Sequence, residues 1–179
     1  PVAGSWQAAA RLAKFLCLAT IAVTALYTAT ARPLKLRVSD AGQAAELKAR
    51  GARLLVDYGS FQLWETDDPS LAAARSNQVE AAADFDFIEL NAGRLDTRAA
   101  AVTALRRAVA PAAGKRLHLV QFVGPVKPEW LEALERTGVR VVHYIPENAY
   151  LISGDSAALA SFQAWAGTND LVQWEGEYA

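Results

Sequence analysis

The 179-residue sequence has no methionine, one cysteine and two histidines, and its charges nearly cancel, 18 basic against 19 acidic. Each shortage excludes something. Translation starts on methionine, so Pro1 is expected to follow trimmed residues or to open a fragment. Cys17 has no second cysteine to bond, and with His118 and His143 it makes no zinc-ligand spacing. A net charge of −1 leaves no basic footprint for nucleic acid. No G-x-G-x-x-G or phosphate loop occurs, so neither a cofactor nor a metal is expected. What is present, 53% apolar and 21% charged residues, is the composition of an ordinary folded protein.

Residues 11–32 read RLAKFLCLATIAVTALYTATAR. Arg11 and Lys14 precede an apolar core from Phe15 to Tyr27, and Ala29-Thr30-Ala31 follows as an A-x-A site. That order predicts a secretory signal peptide cleaved after Ala31, hence a secreted or periplasmic location and no membrane association once it is removed. A membrane anchor is the alternative, since the uncharged run of 17 residues from Phe15 to Ala31 sits at the lower limit for spanning a bilayer. Beyond Ala31 no cysteine remains, and 16 basic residues face 19 acidic ones.

A repeat of roughly 87 residues organises the rest. Gly51, Arg53 and Leu54-Leu55 fall on Gly138, Arg140 and Val141-Val142, and after a one-residue shift Leu63 and Asp67 fall on Leu151 and Asp155. In the second copy, residues 116–123 form a strand ended by Gly124-Pro125. Pro128 opens a helix carrying Trp130, Leu131 and Leu134, and Gly138 closes it. Residues 139–145 and 149–153 make strands joined by Pro146-Glu147-Asn148. Asp155 caps a helix with Leu159, Phe162 and Trp165, and residues 171–175 are the last strand. The first copy repeats the order with a strand at 34–38, a helix from Asp40 to Gly51, and a hairpin around Gly59-Ser60. A helix from Asp68 and a last strand at 85–90 complete it. The expected fold is α+β, tandem ferredoxin-like βαββαβ units at residues 33–92 and 116–179. Between them, residues 93–115 are read as a linker with a short helix after Thr97.

Reactive groups are scarce. His118 and His143 both fall within strands, and no serine sits in a G-x-S-x-G elbow, so no catalytic residue is assigned. Asp68 and Asp155 read as helix caps rather than acid or base groups. Asp84 and Asp86 alternate with Phe85 and Phe87 and read as the solvent side of an edge strand. Both faces of the strand at 117–123 are apolar: Leu117, Leu119 and Val123 on one, Val120 and Phe122 on the other. Tyr150 and Ile152 likewise oppose Leu151. A sheet covered by helices on one side would leave one of these faces for a partner, or the two repeats would bury them on each other.

Leu117-His118-Leu119-Val120-Gln121-Phe122-Val123-Gly124-Pro125 with Pro128-Glu129-Trp130-Leu131 resembles the N-terminal region of large bacterial subtilisin-like (S8 family) serine peptidases. So does Tyr144-Ile145-Pro146-Glu147-Asn148-Ala149-Tyr150-Leu151-Ile152, closing on Val172-Gln173-Trp174-Glu175-Gly176. The likeness covers about residues 35–179 and is strongest over 116–178. It implies a prosegment, a non-catalytic chaperone and inhibitor or docking region. Such a region lays its sheet on the protease domain, in cis or in trans, and its C-terminal tail in the active-site cleft. The residues implied to touch the protease are Val120, Phe122, Tyr150, Ile152, Trp174, Glu175, Gly176, Glu177 and Tyr178. The catalytic Asp, His and G-T-S-M-A motifs of the family do not occur in this sequence. The other reading is an exported structural or interaction module unconnected with proteolysis.

Overall fold

The fold comes from a computed structural model, which describes residues 32–73, 79–106 and 113–178. The expected signal peptide with its cleavage site after Ala31, and Cys17 within it, lie outside the described residues. So do residues 74–78 of the helix begun at Asp68 and residues 107–112 of the linker.

The chain is α+β with antiparallel sheets. The first sheet uses β1 (Leu34–Val38), β2 (Arg53–Asp57), β3 (Gln62–Thr66) and β4 (Val79–Ala81) in the order β2-β3-β1-β4. Helices α1 (Ala41–Ala49) and α2 (Pro69–Ala73) connect its strands. A 3-10 turn (Ala83–Asp86) leads into a two-stranded ribbon, β5 (Phe87–Leu90) and β6 (Gly93–Asp96), and then into α3 (Ala100–Thr103). The second sheet, β7 (Arg116–Phe122), β8 (Arg140–Ile145), β9 (Ala149–Gly154) and β10 (Val172–Glu177), has the order β10-β7-β9-β8. Its connecting helices are α4 (Pro128–Glu135) and α5 (Ser156–Gly167). In each sheet the first and third strands lie at the centre, and every pairing is antiparallel.

Local chemistry sets the element ends. Asp40 accepts the Gln43 N–H and Asp155 the Ala158 N–H, so both helices start on a satisfied donor. Gly51 and Gly138 follow their helices at φ 84° and 95°, a left-handed conformation that a side chain would strain. The β8–β9 turn instead holds Glu147 and Asn148 at φ 67° and 64°.

Packing joins the halves. Leu36, Val38, Trp64 and Leu47 form a core between the first sheet and its helices. The sheet's other face sends Val56 and Leu63 into one cluster with Phe122, Val123, Trp130, Leu134, Leu159 and Phe162. Gly124 permits this approach: a Cβ there would meet Leu63 at 2.7 Å and the Tyr58 hydroxyl at 2.9 Å, closer than real Cβ atoms come.

Two expectations are corrected here. The fourth strand of the first sheet is Val79–Ala81, not residues 85–90. Phe87–Leu90 pairs with Gly93–Asp96 instead, because Ile88 is wholly buried against Leu119 and Trp174 of the second sheet. That ribbon runs across the expected boundary at residues 92–93. Nor does Asp86 face solvent. It is buried and 3.1 Å from both Lys35 Nζ and Arg98 Nε. Asp84, by contrast, is exposed and pairs with Arg94 at 2.7 Å.

Candidate functional site

The second sheet has one face under α4 and α5 and one under the ribbon. Cross-strand register orders the ribbon side into rows. Trp174, Gln121, Ala149 and Ile145 form one row, and Ile88, Leu90 and Leu95 cover it. Gly176, Leu119, Leu151 and His143 form the next. In the third, the Tyr178 N–H donates to Leu117 O at 3.2 Å, and Ser153 and Arg140 complete the line. The ribbon stops short of this third row. Tyr178 is 43% and Leu117 37% exposed, Arg140 and His143 are exposed, and Leu151 is half-buried. Beside the strip lies a cavity of about 220 Å³ lined by Glu89, Leu90, His143, Ile145, Leu151 and Tyr178. A shallow apolar surface with the Arg140 guanidinium at one end can hold a polypeptide.

The residues expected to touch a protease are placed differently. Val120, Phe122 and Ile152 are fully buried in the core beneath α4 and α5, and Tyr150 is half-buried with its ring edge against Phe122. Trp174 is buried under α3, its indole N–H donating to Val102 O at 3.1 Å. Gly176 is buried beside the Trp174 indole, which leaves no room for a Cβ, and Glu175 is buried too. Only Glu177 and Tyr178 are exposed. The strip therefore rests on Leu117, Arg140, His143 and Leu151, of the opposite parity to Val120, Phe122, Tyr150 and Ile152, while Trp174, Gly176 and Tyr178 lie in its own rows.

Glu175 has a specific tie. Its Oε2 lies 2.5 Å from His118 Nε2 and accepts from Gln163 at 3.1 Å, while Arg106 stands 3.6 Å from Oε1. Burial acts to raise the carboxyl pKa, but the hydrogen bonds and charges of His118, Gln163 and Arg106 outweigh it and hold it below the usual value. The stability this carboxylate contributes is thus present above pH 4.5 and is lost as pH falls through its lowered folded pKa. Urea unfolding across the acid range is expected to show a loss that flattens in Glu175→Gln. Equal slopes for the two proteins would remove Glu175 from the account.

A larger cleft, about 380 Å³, opens where the halves meet, with Arg53, Glu65, Arg98, Arg106 and Gln173 in its walls. Its charges are engaged with one another. Arg53 and Arg98 each donate to Glu65 at 2.6 Å, and Arg98 also reaches Asp86. Burial acts to raise the Glu65 pKa, and the two arginines outweigh it and hold the group low. Among the described residues no group of three or more His, Cys, Asp or Glu is placed to hold a metal, and no helix is long and apolar enough to cross a membrane.

Residues 88–179, just over half of the sequence, match a protein family described as "Domain of unknown function (DUF8729)". The chain belongs to the DUF8729 family. The matched stretch begins at Ile88, inside the ribbon, and takes in the whole second sheet with the exposed strip. No curated protein and no solved structure matches the chain.

Proposed function

We propose that the chain is the non-catalytic, prosegment-like N-terminal region of an exported subtilisin-like serine protease. It would assist the folding of its catalytic domain and hold that domain inactive, or dock it in place. We read each half as a ferredoxin-like unit and the pair as a duplication. One observation carries the reading. Two sheets have the same strand order and helices on one side, and the second keeps an apolar strip beside the strand that delivers Glu177 and Tyr178. A prosegment that lays sheet on its protease and sends its tail into the cleft needs that juxtaposition. The contact residues then become Leu117, Leu151, Arg140, His143 and Tyr178 in place of the interior Val120, Phe122 and Ile152.

The purified chain is expected to hydrolyse no peptide substrate and to inhibit a cognate subtilisin-like catalytic domain at micromolar levels. Leu117→Lys should weaken that inhibition by about tenfold or more, since it puts an uncompensated charge into the apolar contact. Absence of both binding and inhibition would sink the reading. It would then favour the second one, an exported interaction module, which draws support from how much of both sheets is already covered within the chain.

A further inference from the structure

An unpaired sheet edge is a template for another strand, so folded proteins shorten, charge or bury their edges. Three of the four edges of the two four-stranded sheets follow that rule. β4 has three residues. β2 carries Arg53 at one end and Asp57 at the other. β10 is buried from Val172 to Gly176 apart from the half-covered Gln173. The fourth, β8, is neither short nor buried, and a bulge between Val141 and His143 is its main protection. Its six residues include four that are exposed, with Val142 51% and Tyr144 50% accessible, and its one formal charge is Arg140 at the first position. A register irregularity between Val141 and His143 leaves Val142 without a partner on β9.

The charges select the occupant. Arg140 opens β8 and Glu147 lies just past its end, and neither has an ion-pair partner among the described residues. Antiparallel addition of the same strand about a two-fold axis near His143 brings Arg140 of one copy alongside Ile145 to Glu147 of the other, twice over. The same pairing sets Val142 beside Tyr144 of the other copy, a β-branched and aromatic cross-strand pair. Parallel addition would put Arg140 against Arg140. We infer that β8 pairs antiparallel with β8 of a second copy of this chain, forming a dimer with one continuous eight-stranded sheet. The pairing is independent of the prosegment reading, because it is read as mass rather than as inhibition.

Sedimentation equilibrium of the purified chain over a micromolar to submillimolar range is expected to show a monomer–dimer equilibrium. Val142→Lys should abolish the dimer. Arg140→Glu should raise the dissociation constant by about tenfold, and adding Glu147→Arg to it should restore the affinity. Arg140 and Val142 are exposed and Glu147 is half-buried, and circular dichroism of each variant checks that the fold is kept. A chain that stays monomeric overturns the inference, as does a dimer indifferent to Val142→Lys or a double swap no better than the single one. If the chain is monomeric and the His143 and Tyr144 amide resonances move when a subtilisin-like catalytic domain is added, the edge serves that partner instead.

Discussion

Replacing Lys35 by alanine is expected to cost about 3–5 kcal/mol, the loss that follows when one member of a buried ion pair is removed. Lys35 is 2% exposed, and its ammonium donates to Val123 O at 2.7 Å, to Phe85 O at 3.3 Å and to Gln173 Oε1, with Asp86 at 3.1 Å. All four partners lie beyond the first sheet, so one side chain of β1 ties that sheet to the turn before the ribbon and to the second half. Burial lowers its pKa from 10.5 to about 8. Asp86 and Glu65 act against that shift, and Arg98 reinforces it. The sign follows directly. Between pH 8 and 10.5 the unfolded chain still holds a proton that the folded chain has released, so stability rises with pH across that window. The rise amounts to about 3 kcal/mol as an order of magnitude. Tyr58 opposes it at the alkaline end, because burial pushes its hydroxyl pKa up and the unfolded chain ionises first. Guanidinium unfolding at stepped alkaline pH is expected to show the rise in the natural sequence and not in Lys35→Met. A profile shared by both proteins would show that the buried ammonium is not its source.

How much of this was visible in the sequence varies with the reach of the interaction. Caps and turns are local, and Asp40, Asp155, Gly51, Gly138 and the hairpin at Gly59-Ser60 all stand where their side chains, or lack of one, predict. Face assignment is not local. In β7, Leu117 and Leu119 alternate with Val120 and Phe122, so both faces are apolar and alternation does not say which one the helices cover. The structure puts Val120, Phe122 and Ile152, three of the residues expected to meet a partner, on the face beneath the helices. Polar residues are harder still. Lys35, Gln121 and Gln173 would pass for surface groups, and only partners distant in the chain make them interior: Gln121 donates to Phe87 O and accepts from Thr97, while Gln173 donates to Phe85 O. β4 was missed for a different reason. Val79-Glu80-Ala81 is too short to show a period, whereas Phe87 to Leu90 reads as a strand and is one, in another pairing.

Residues 33–82 expressed alone are expected to be unfolded, although they contain the whole first sheet. About 50 residues bury too little surface for independent stability. Here, moreover, one face of the sheet is built to be covered. Val56 and Leu63 belong to the same cluster as Phe122 and Trp130, and Tyr58 donates to Pro125 O at 2.8 Å. Lys35 loses every acceptor it has in the native chain, leaving an ammonium on an apolar face. Residues 83–179 are in a different position. They keep the ribbon over Leu119 and Trp174, the His118–Glu175 pair and the core beneath α4 and α5, and give up mainly the cover over Val123 and Phe122. That fragment should therefore fold and melt cooperatively at a temperature below that of the intact chain. Mixing the two fragments should restore strand signal in the first and raise the melting temperature of the second. Circular dichroism and calorimetry of each piece and of the mixture decide the matter. A first fragment that melts cooperatively by itself would mean that its helix-side core suffices and that the shared cluster is incidental. Failure of the second to fold would instead mean that the first sheet is the template on which the second is assembled.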